Sequence, residues 1–553
     1  MMRESGKLSV LTMASRILGL VREATRARLL GTAALGEAFT IAFSAPNLFR
    51  RLLAEGSMAA ALIPTMKGYF AEGDEARTES FLSATYTALV IVVGAVVALG
   101  MAGAGPITGL YTAFRLDPSV TVDVAETALL MRFMFPFLAL VSVAAFLQGI
   151  LNSHGVFGPS GMAPVLFNVC FIVVPPLFGR YFGNPARAMA AGVLVGGLMQ
   201  ALWQLPMVIK VGARFRLVSP RKAFTDPGMR RVMRLIAPTI VGMAAYELNS
   251  FVSTALAAGV GAATSVQMSL RLQELVLGVF VVSIGTVLLP ELSGHAAAAD
   301  WPRYAASLVR SLETVLLVTV PVGVLSIVER YDIVAVVYGR GAFGEDSIRM
   351  TAQAFLFHSL GLACIGVNRI MAPAFYARKD SKRPTWAGMA AFGVNIVAAI
   401  VLSPLMGGSG IALALTLASV VNAAILVVML VRMRIEGLGR SLGSAGLYAI
   451  RLLAFSAAAA VPALLARNLV ASLTAASASR LVSAGLPFLA ASLAFGAAGV
   501  LLLVMSKDQV AADLVASFKR RGSKRKPPEG GDGAGTTGSD AAIEVDPLGP
   551  DIE

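Results

Sequence analysis

Arginine residues occur inside long apolar stretches of this chain, where charged side chains are unusual. In the first stretch, Arg16, Arg22, Glu23 and Arg26 fall within an arc of about 120° when placed on a helix at ~100° per residue. A charged side chain at the centre of a bilayer costs ~2.5–3.5 kcal/mol on insertion scales, so these residues must face water, a partner charge or the head groups. Guanidinium groups bind phosphate and carboxylate through paired hydrogen bonds. This face therefore predicts a binding surface for an anion.

Two other apolar stretches carry similar charges. The second contains Arg50 and Arg51 ahead of Glu55, and the eighth contains Arg271 and Glu274. The spacings allow Arg51 to pair with Glu55 and Arg271 with Glu274 on one helix face. A structural salt bridge is the simpler interpretation of the glutamates. Because arginine outnumbers glutamate in the three stretches, the remaining positive charge needs an anion, and we predict a phosphate-bearing substrate.

The composition indicates a protein that crosses a membrane many times. Of 553 residues, 56% are hydrophobic and 14% are charged, and the mean hydropathy is +0.75. An average soluble domain has ~25% charged residues, so ordinary soluble enzymes, disordered chains and fibrous repeats are excluded. A spanning helix needs ~20 mostly apolar residues. Stretches of this kind predict an all-α fold with about 14 transmembrane helices, at 8–30, 35–66, 80–105, 128–151, 160–182, 186–210, 232–258, 264–292, 304–328, 350–376, 385–404, 409–431, 446–469 and 481–505.

The basic residues outside these stretches predict the orientation. With the N-terminus in the cytoplasm, the cytoplasmic side holds 29 Lys and Arg residues and the other side holds 8. Lys and Arg collect in cytoplasmic loops, so both termini are predicted to be cytoplasmic. The same bias explains the formal charge of +14 without a nucleic-acid partner.

Weak sequence similarity recurs along the chain at a near-constant offset. Residues 57–64 resemble residues 283–290, and Asn168 corresponds to Asn395, at offsets of 226 and 227. Six predicted spans make up the repeat, so both copies enter the membrane the same way, as in transporters built from two parallel lobes. The predicted units are a six-helix lobe over 1–217, a second six-helix lobe over 218–440, two extra helices over 441–506 and a disordered cytoplasmic tail over 507–553.

Catalytic motifs are absent from the sequence, so we predict a transporter rather than an enzyme, with no resident cofactor. The three histidines are scattered, and Cys170 and Cys364 both lie in apolar stretches. The glycine-rich segment 530–535 lies in the polar tail and not between a strand and a helix, as a nucleotide-binding loop would. Two alternatives stay open. One is a drug or organic-cation antiporter, whose site would need surplus carboxylates. The other is a scaffold for cell-wall or flagellar assembly, which would leave the membrane arginines unexplained.

Four motifs resemble those of the MviN/MurJ family of bacterial lipid II flippases, in the multidrug/oligosaccharidyl-lipid/polysaccharide exporter superfamily. They are residues 15–23, 46–56, 271–274 with 285–290, and 372–380. The similarity runs from about residue 8 to residue 435. It implies a multi-pass protein of the bacterial inner membrane that moves lipid II, an undecaprenyl diphosphate glycolipid, to the outer leaflet by alternating access. Another polyprenyl glycolipid remains an alternative substrate, and the membrane potential and ion gradients remain alternative driving forces.

The resemblance also implies roles for individual residues. The cationic wall that holds the diphosphate would be Arg16, Arg22, Arg50 and Arg271. Supporting or gating roles would fall to Glu23, Arg26, Glu37, Asn47, Arg51, Glu55 and Glu274. Some members bind sodium as a coupling ion, for which Glu247, Asn395 and Thr416 are the candidate ligands here, although Ala399 offers no second carboxylate. The expected partners are lipid II, membrane lipids and the cell-wall synthesis machinery.

Overall fold

Helices form all the regular structure in the described part of the chain. The computed structural model describes residues 2–53, 57–114, 122–477 and 479–523, and no strand occurs in these ranges. The helices up to residue 225 are α1 (Met2–Leu30), α2 (Ala34–Leu53), α3 (Ser57–Glu72), α4 (Glu75–Ala102), α5 (Ala104–Thr112), α6 (Val124–Met134), α7 (Pro136–Ser153), α8 (Gly158–Phe178), α9 (Pro185–Lys210) and α10 (Pro220–Thr225). The later helices are α11 (Pro227–Gly259), α12 (Ala263–Ala297), α13 (Trp301–Val328), α14 (Arg330–Tyr338), α15 (Glu345–Leu360), α16 (Leu362–Tyr376), α17 (Lys382–Met406), α18 (Gly408–Arg432), α19 (Leu438–Thr474), α20 (Arg480–Ser483), α21 (Gly485–Met505) and α22 (Gln509–Ser523). The prediction of an all-α membrane protein is confirmed.

The predicted spans all fall on these helices, but not all of the helices are equally apolar. Within the described ranges, nine helical segments are long and apolar enough to cross a membrane, and the pair α15 and α16, bent by 43° at its break, would make a tenth. The four predicted spans outside this set lie on α1, α2 with α3, α11 and α12, which carry charges within their apolar runs. The total of fourteen therefore stays a prediction. Of these helices, α1 and α12 line the cationic cavity described below, and α2 and α11 line the compartment next to it.

Buried apolar clusters stabilise each half of the molecule and also join the halves. One cluster gathers helices of the first half around Phe81, and another gathers helices of the second half around Leu308. A third includes Phe39 of α2, Ala257 of α11 and Ile411 of α18, so it extends across both halves. Burial of apolar surface between α2, α11 and α18 thus holds the halves together near one end of these helices.

Polar contacts also join the halves near the end of α1. The Ala342 N–H donates to the Arg28 carbonyl at 2.8 Å, and Thr32 Oγ1 lies 2.8 Å from Ser347 Oγ. Gly341 has a φ of +59°, in the left-handed region that glycine adopts readily, and an added Cβ would collide with the Arg28 backbone. The space between the halves is closed at this end.

The predicted disorder of the tail from residue 507 is wrong for its first part. A disordered tail was expected from this point, but α22 is helical. The buried carboxylate of Asp508 caps the helix and pairs with Arg451 of α19, and Val510 is buried against the second half. These contacts order a segment whose polar composition suggests disorder. Residues 524–553, the rest of the predicted tail, lie outside the described residues.

Candidate functional site

A cationic cavity of about 360 Å³ lies between α1, α12 and α16. Its charged lining consists of four arginines and two glutamates, namely Arg16, Arg22, Arg271, Arg369, Glu23 and Glu274. The formal surplus is two positive charges. Because α1 belongs to the first half and α12 and α16 to the second, both halves contribute cations to a single site.

Arg16 of α1 reaches across to the second half. Its Nη1 donates a hydrogen bond to the Gly278 carbonyl of α12. A Cβ added at Gly278 would lie 3.1 Å from that nitrogen, so a glycine leaves the room that the guanidinium occupies. A guanidinium has five N–H donors, and the bond to Gly278 leaves others for a ligand. The position of Arg16 therefore depends on how the two halves sit relative to each other.

Arg22 is held in place by α8. Its Nη1 donates to Asn168 Oδ1 at 3.1 Å, and its Nη2 lies 2.7 Å from Glu23 Oε1. The guanidinium also stacks over the rings of Phe167 and Phe171, at 5.8 and 5.5 Å from their centroids. Cation–π contacts and hydrogen bonds of this kind fix a planar guanidinium in one orientation. Arg22 is thus preorganised at the edge of the cavity, where 22% of its side chain is exposed.

Two further arginines have defined partners near the cavity. Arg26 is buried and anchors α1 to α12, because its Nη1 donates to Gln267 Oε1 at 2.9 Å and its Nε lies 3.4 Å from Glu23 Oε2. Arg271 Nη1 lies 2.7 Å from Glu274 Oε2, the pairing that the sequence spacing predicted. Arg26 therefore has a structural position, whereas Arg271 remains part of the cavity wall.

A second compartment of about 180 Å³ continues from Arg271 and Glu274 toward α2 and α11. Its polar lining includes Ser44, Asn47, Arg51, Glu247, Asn249 and Ser253. Arg51 Nη1 lies 3.4 Å from Glu247 Oε1, so a charge of the first half is neutralised by one of the second. The predicted partner of Arg51, Glu55, lies outside the described residues.

Arg50 differs from the other predicted wall residues in its position. It does not belong to the described lining of either compartment, and its Nε donates to Asn47 Oδ1 at 2.9 Å. The structure therefore brings together Arg16, Arg22 and Arg271 in one lining that does not include Arg50.

Glu37 lies at the closed end of the space between the halves. Its carboxylate accepts hydrogen bonds from the N–H groups of Thr264 at 2.7 Å and Ala263 at 3.0 Å, at the start of α12. The nearby Thr40 Oγ1 lies 2.8 Å from Thr264 Oγ1. A negative charge is favoured at a helix N-terminus, where unpaired N–H groups point outward. Glu37 thus connects α2 to α12 and is not part of the cavity lining.

The three candidate sodium ligands have separate partners. Glu247 pairs with the arginine described above, and Thr416 donates to a backbone carbonyl of α15 at 2.6 Å. Asn395 Nδ2 donates to Asn249 Oδ1 at 2.7 Å and to Ser253 Oγ at 3.0 Å. Asn395 Oδ1, the atom that would ligate sodium, is buried and forms no hydrogen bond within the described ranges. In the described residues there is also no group of three His, Cys, Asp or Glu side chains that could hold a metal ion.

Arg369 of α16 is the lining residue that sequence reasoning left out. It is a lone arginine in its apolar stretch, and no ion pair joins it to a carboxylate of the described residues. The available signal was that it is one of the arginines inside a predicted span. Its proximity to Arg16 and Arg271 depends on how α16 packs, which no local spacing indicates.

The fold and the cavity define a class of protein, a multi-pass membrane transporter with a cationic central site. The sequence profile described as "Lipid II flippase MurJ" matches residues 26–487, and the chain belongs to this family. A "Probable lipid II flippase MurJ" of Treponema pallidum (strain Nichols) is 40% identical over 525 residues, which cover 93% of this chain and 97% of the relative.

Solved structures show the same fold. The structure titled "Lipid II flippase MurJ, inward closed conformation" matches with a TM-score of 0.72 and 22% identity, covering 91% of this chain and 99% of the other. An inward-facing multidrug resistance MATE family transporter of the MOP superfamily matches with a TM-score of 0.59 and 14% identity, over 78% and 98% of the two chains. Lipid transporters and drug transporters therefore share this architecture, and the choice between the two functions depends on the residues of the site.

Proposed function

We propose that this protein moves lipid II from the inner to the outer leaflet of the bacterial inner membrane, with both of its termini in the cytoplasm. The observation that carries this proposal is the cavity lined by four arginines and two glutamates from both halves. A diphosphate carries about two negative charges and accepts the paired hydrogen bonds that guanidinium groups donate. The names of the relatives support the same substrate.

In this mechanism the two halves rock about the cavity and expose it to each side in turn. The diphosphate binds among the arginines while the prenyl chain remains in the lipid. In the proposed orientation, the end closed by Glu37 is the periplasmic end. Release to the outside then requires the hydrogen bonds from Ala263 and Thr264 to Glu37 to break. The bond from Arg16 to Gly278 also links the halves, so substrate that draws Arg16 away from Gly278 changes the balance between the two states.

The membrane potential supplies the driving force in this proposal. Moving one charge across the membrane yields ~2.3 kcal/mol per 100 mV, so a diphosphate with about two charges gains ~5 kcal/mol when it leaves a negative interior. Sodium is the alternative coupling ion. The pairing of Glu247 with Arg51 takes up the one carboxylate of the proposed sodium site, and this favours the potential over sodium.

A drug or organic-cation antiporter on the same fold is the second candidate. The similarity to a MATE transporter favours it at the level of the fold. A cationic ligand would need surplus carboxylates, however, and the cavity has surplus arginine. The charge of the site therefore favours the anionic lipid.

Reconstituted vesicles test this proposal. Wild-type protein should transfer lipid II across the bilayer. Arg16→Ala should slow the transfer by about 10- to 100-fold, since hydrogen bonds to a charged group contribute ~1.5–3 kcal/mol. The matched control is Arg132→Ala, which removes an arginine that lies on α6 outside the cavity and donates to the Met101 carbonyl at 3.3 Å. Transfer at the wild-type rate by Arg16→Ala would contradict the proposal.

A further inference from the structure

A third cavity shares Arg16 with the cationic cavity. It has a volume of about 290 Å³ and lies between α1, α7 and the start of α8. We call it the α7–α8 cleft, and its lining includes Ser15, Arg16, Gln148, Asn152, Phe157 and Ser160. Arg16 lines both this cleft and the cationic cavity. One ligand can therefore occupy both spaces while it contacts the same guanidinium.

The lining of the cleft is suited to a neutral polar ligand. Arg16 is the one charged side chain among its described lining residues, and no carboxylate is present there. The cleft therefore has no charges to select a cation and too few to hold a second diphosphate. The amides of Gln148 and Asn152 can each donate and accept hydrogen bonds, and so can the hydroxyl of Ser160.

Two polar atoms of the lining lack a partner within the described ranges. Ser160 Oγ and Asn152 Oδ1 are buried and form no hydrogen bond there, and only 5% of Ser160 is exposed. A buried polar group without a hydrogen bond costs ~1–3 kcal/mol. A ligand with hydroxyl or amide groups would satisfy both atoms. Both residues line the cleft, so a ligand bound there has two polar partners whose hydrogen-bonding capacity is unused.

Phe157 adds an apolar surface to this polar lining. It lies at the boundary between α7 and α8, and 37% of it is exposed. A sugar ring presents C–H groups on its faces and hydroxyl groups at its edge, which matches an aromatic surface surrounded by hydrogen-bonding side chains. The volume is close to the ~300 Å³ at the lower end of small-ligand sites, so it has room for part of a glycolipid head group and not for all of it.

We propose that the α7–α8 cleft binds the sugar that is bonded to the diphosphate of the substrate. This inference rests on the proposed function, because the diphosphate among the arginines places its attached sugar next to Arg16. The arginines then select the charge of the substrate, and the cleft selects a glycosylated lipid over a bare polyprenyl diphosphate. Gln148, Asn152 and Ser160 are thus the specificity-determining residues of the head group.

Binding of two probes to the full-length protein in nanodiscs tests this assignment. The probes are lipid II and undecaprenyl diphosphate, which has the same diphosphate and prenyl chain but no sugar. Asn152→Leu and Gln148→Leu keep approximate side-chain size and remove the amide. Each should weaken lipid II binding by about 2- to 10-fold, the range expected when one hydrogen bond is lost, and leave undecaprenyl diphosphate binding unchanged. The unchanged binding also shows that the variants are folded.

The matched control is Ser142→Ala, which removes another buried, unpartnered hydroxyl of α7 that does not line the cleft. It should alter neither affinity. The assignment would be overturned if Asn152→Leu and Gln148→Leu bound lipid II as tightly as wild type does. It would also be overturned if they lost the same affinity for both probes. Arg16→Ala tests the proposed function separately, because it should weaken binding of both probes. If Arg16→Ala binds both probes as tightly as wild type does, the diphosphate site is refuted. The cleft assignment is tested instead by whether Asn152→Leu and Gln148→Leu weaken lipid II binding more than undecaprenyl diphosphate binding.

Discussion

Removal of the Glu37 carboxylate should shift the protein away from the state in which the halves meet at this end. In Glu37→Ala, two hydrogen bonds to the start of α12, at 2.7 and 3.0 Å, are lost. Hydrogen bonds to a charged group contribute ~1.5–3 kcal/mol each, and part of this is recovered when the freed N–H groups meet water. We take a net loss of about 3 kcal/mol, which changes the ratio of the two states by ~150-fold. Glu37→Gln retains one side-chain acceptor and should have a smaller effect.

Spin labels on the two halves measure this shift. Suitable positions are Leu110 of α5 and Asp346 of α15, whose side chains are exposed. Electron–electron distance measurements on Glu37→Ala should show a longer-distance population that wild type has at a far lower level. The control Glu126→Ala removes a carboxylate that accepts hydrogen bonds from Asn184 and Arg187, which both belong to the first half, so it should leave the distances unchanged. If the distances between the spin labels in Glu37→Ala were distributed as in wild type, the reasoning would be refuted.

Three further predictions concern other contacts. Gly278→Val should reduce lipid II transfer as Arg16→Ala does, with normal membrane insertion, because the new side chain would occupy the space of the guanidinium. Burial raises the pKa of Glu329 to about 7, against the favourable charge of Arg467. The contribution of Glu329 to stability is therefore present in full below pH ~4.3 and is lost as the pH rises through 7. Thermal unfolding should show that the stability of wild type relative to Glu329→Gln falls between pH 5 and pH 8. Transfer at a fixed membrane potential should be equal in sodium and potassium buffers, because Glu247, the charged candidate ligand, is paired with Arg51; a sodium requirement would contradict this.

The sequence predicts the fold well because membrane helices are determined by local composition. A run of ~20 apolar residues is sufficient evidence of a spanning helix, and the predicted spans coincide with helices of the structure. The order of α22 could not be predicted in this way. It depends on burial of Asp508 beside Arg451, which are 57 residues apart in the chain.

The site was predicted where its residues share a helix and missed where they meet across helices. Arg16, Arg22 and Glu23 were found from helical spacing alone, and the pair of Arg271 with Glu274 followed from a three-residue interval. Arg369 has no such neighbour. Contacts between distant residues, such as Arg51 with Glu247, depend on how the two halves pack, and one sequence without aligned relatives does not contain that information.

The most direct test of the central claim is the amount of lipid II on the outer surface of cells. The cells should be depleted of this protein, lack any other flippase, and carry either wild-type protein or Arg16→Ala. We predict that accessible lipid II falls on depletion, returns with wild type and does not return with Arg16→Ala. Unchanged surface lipid II after depletion, or full recovery with Arg16→Ala, would contradict the assignment of the arginine cavity to lipid II transport.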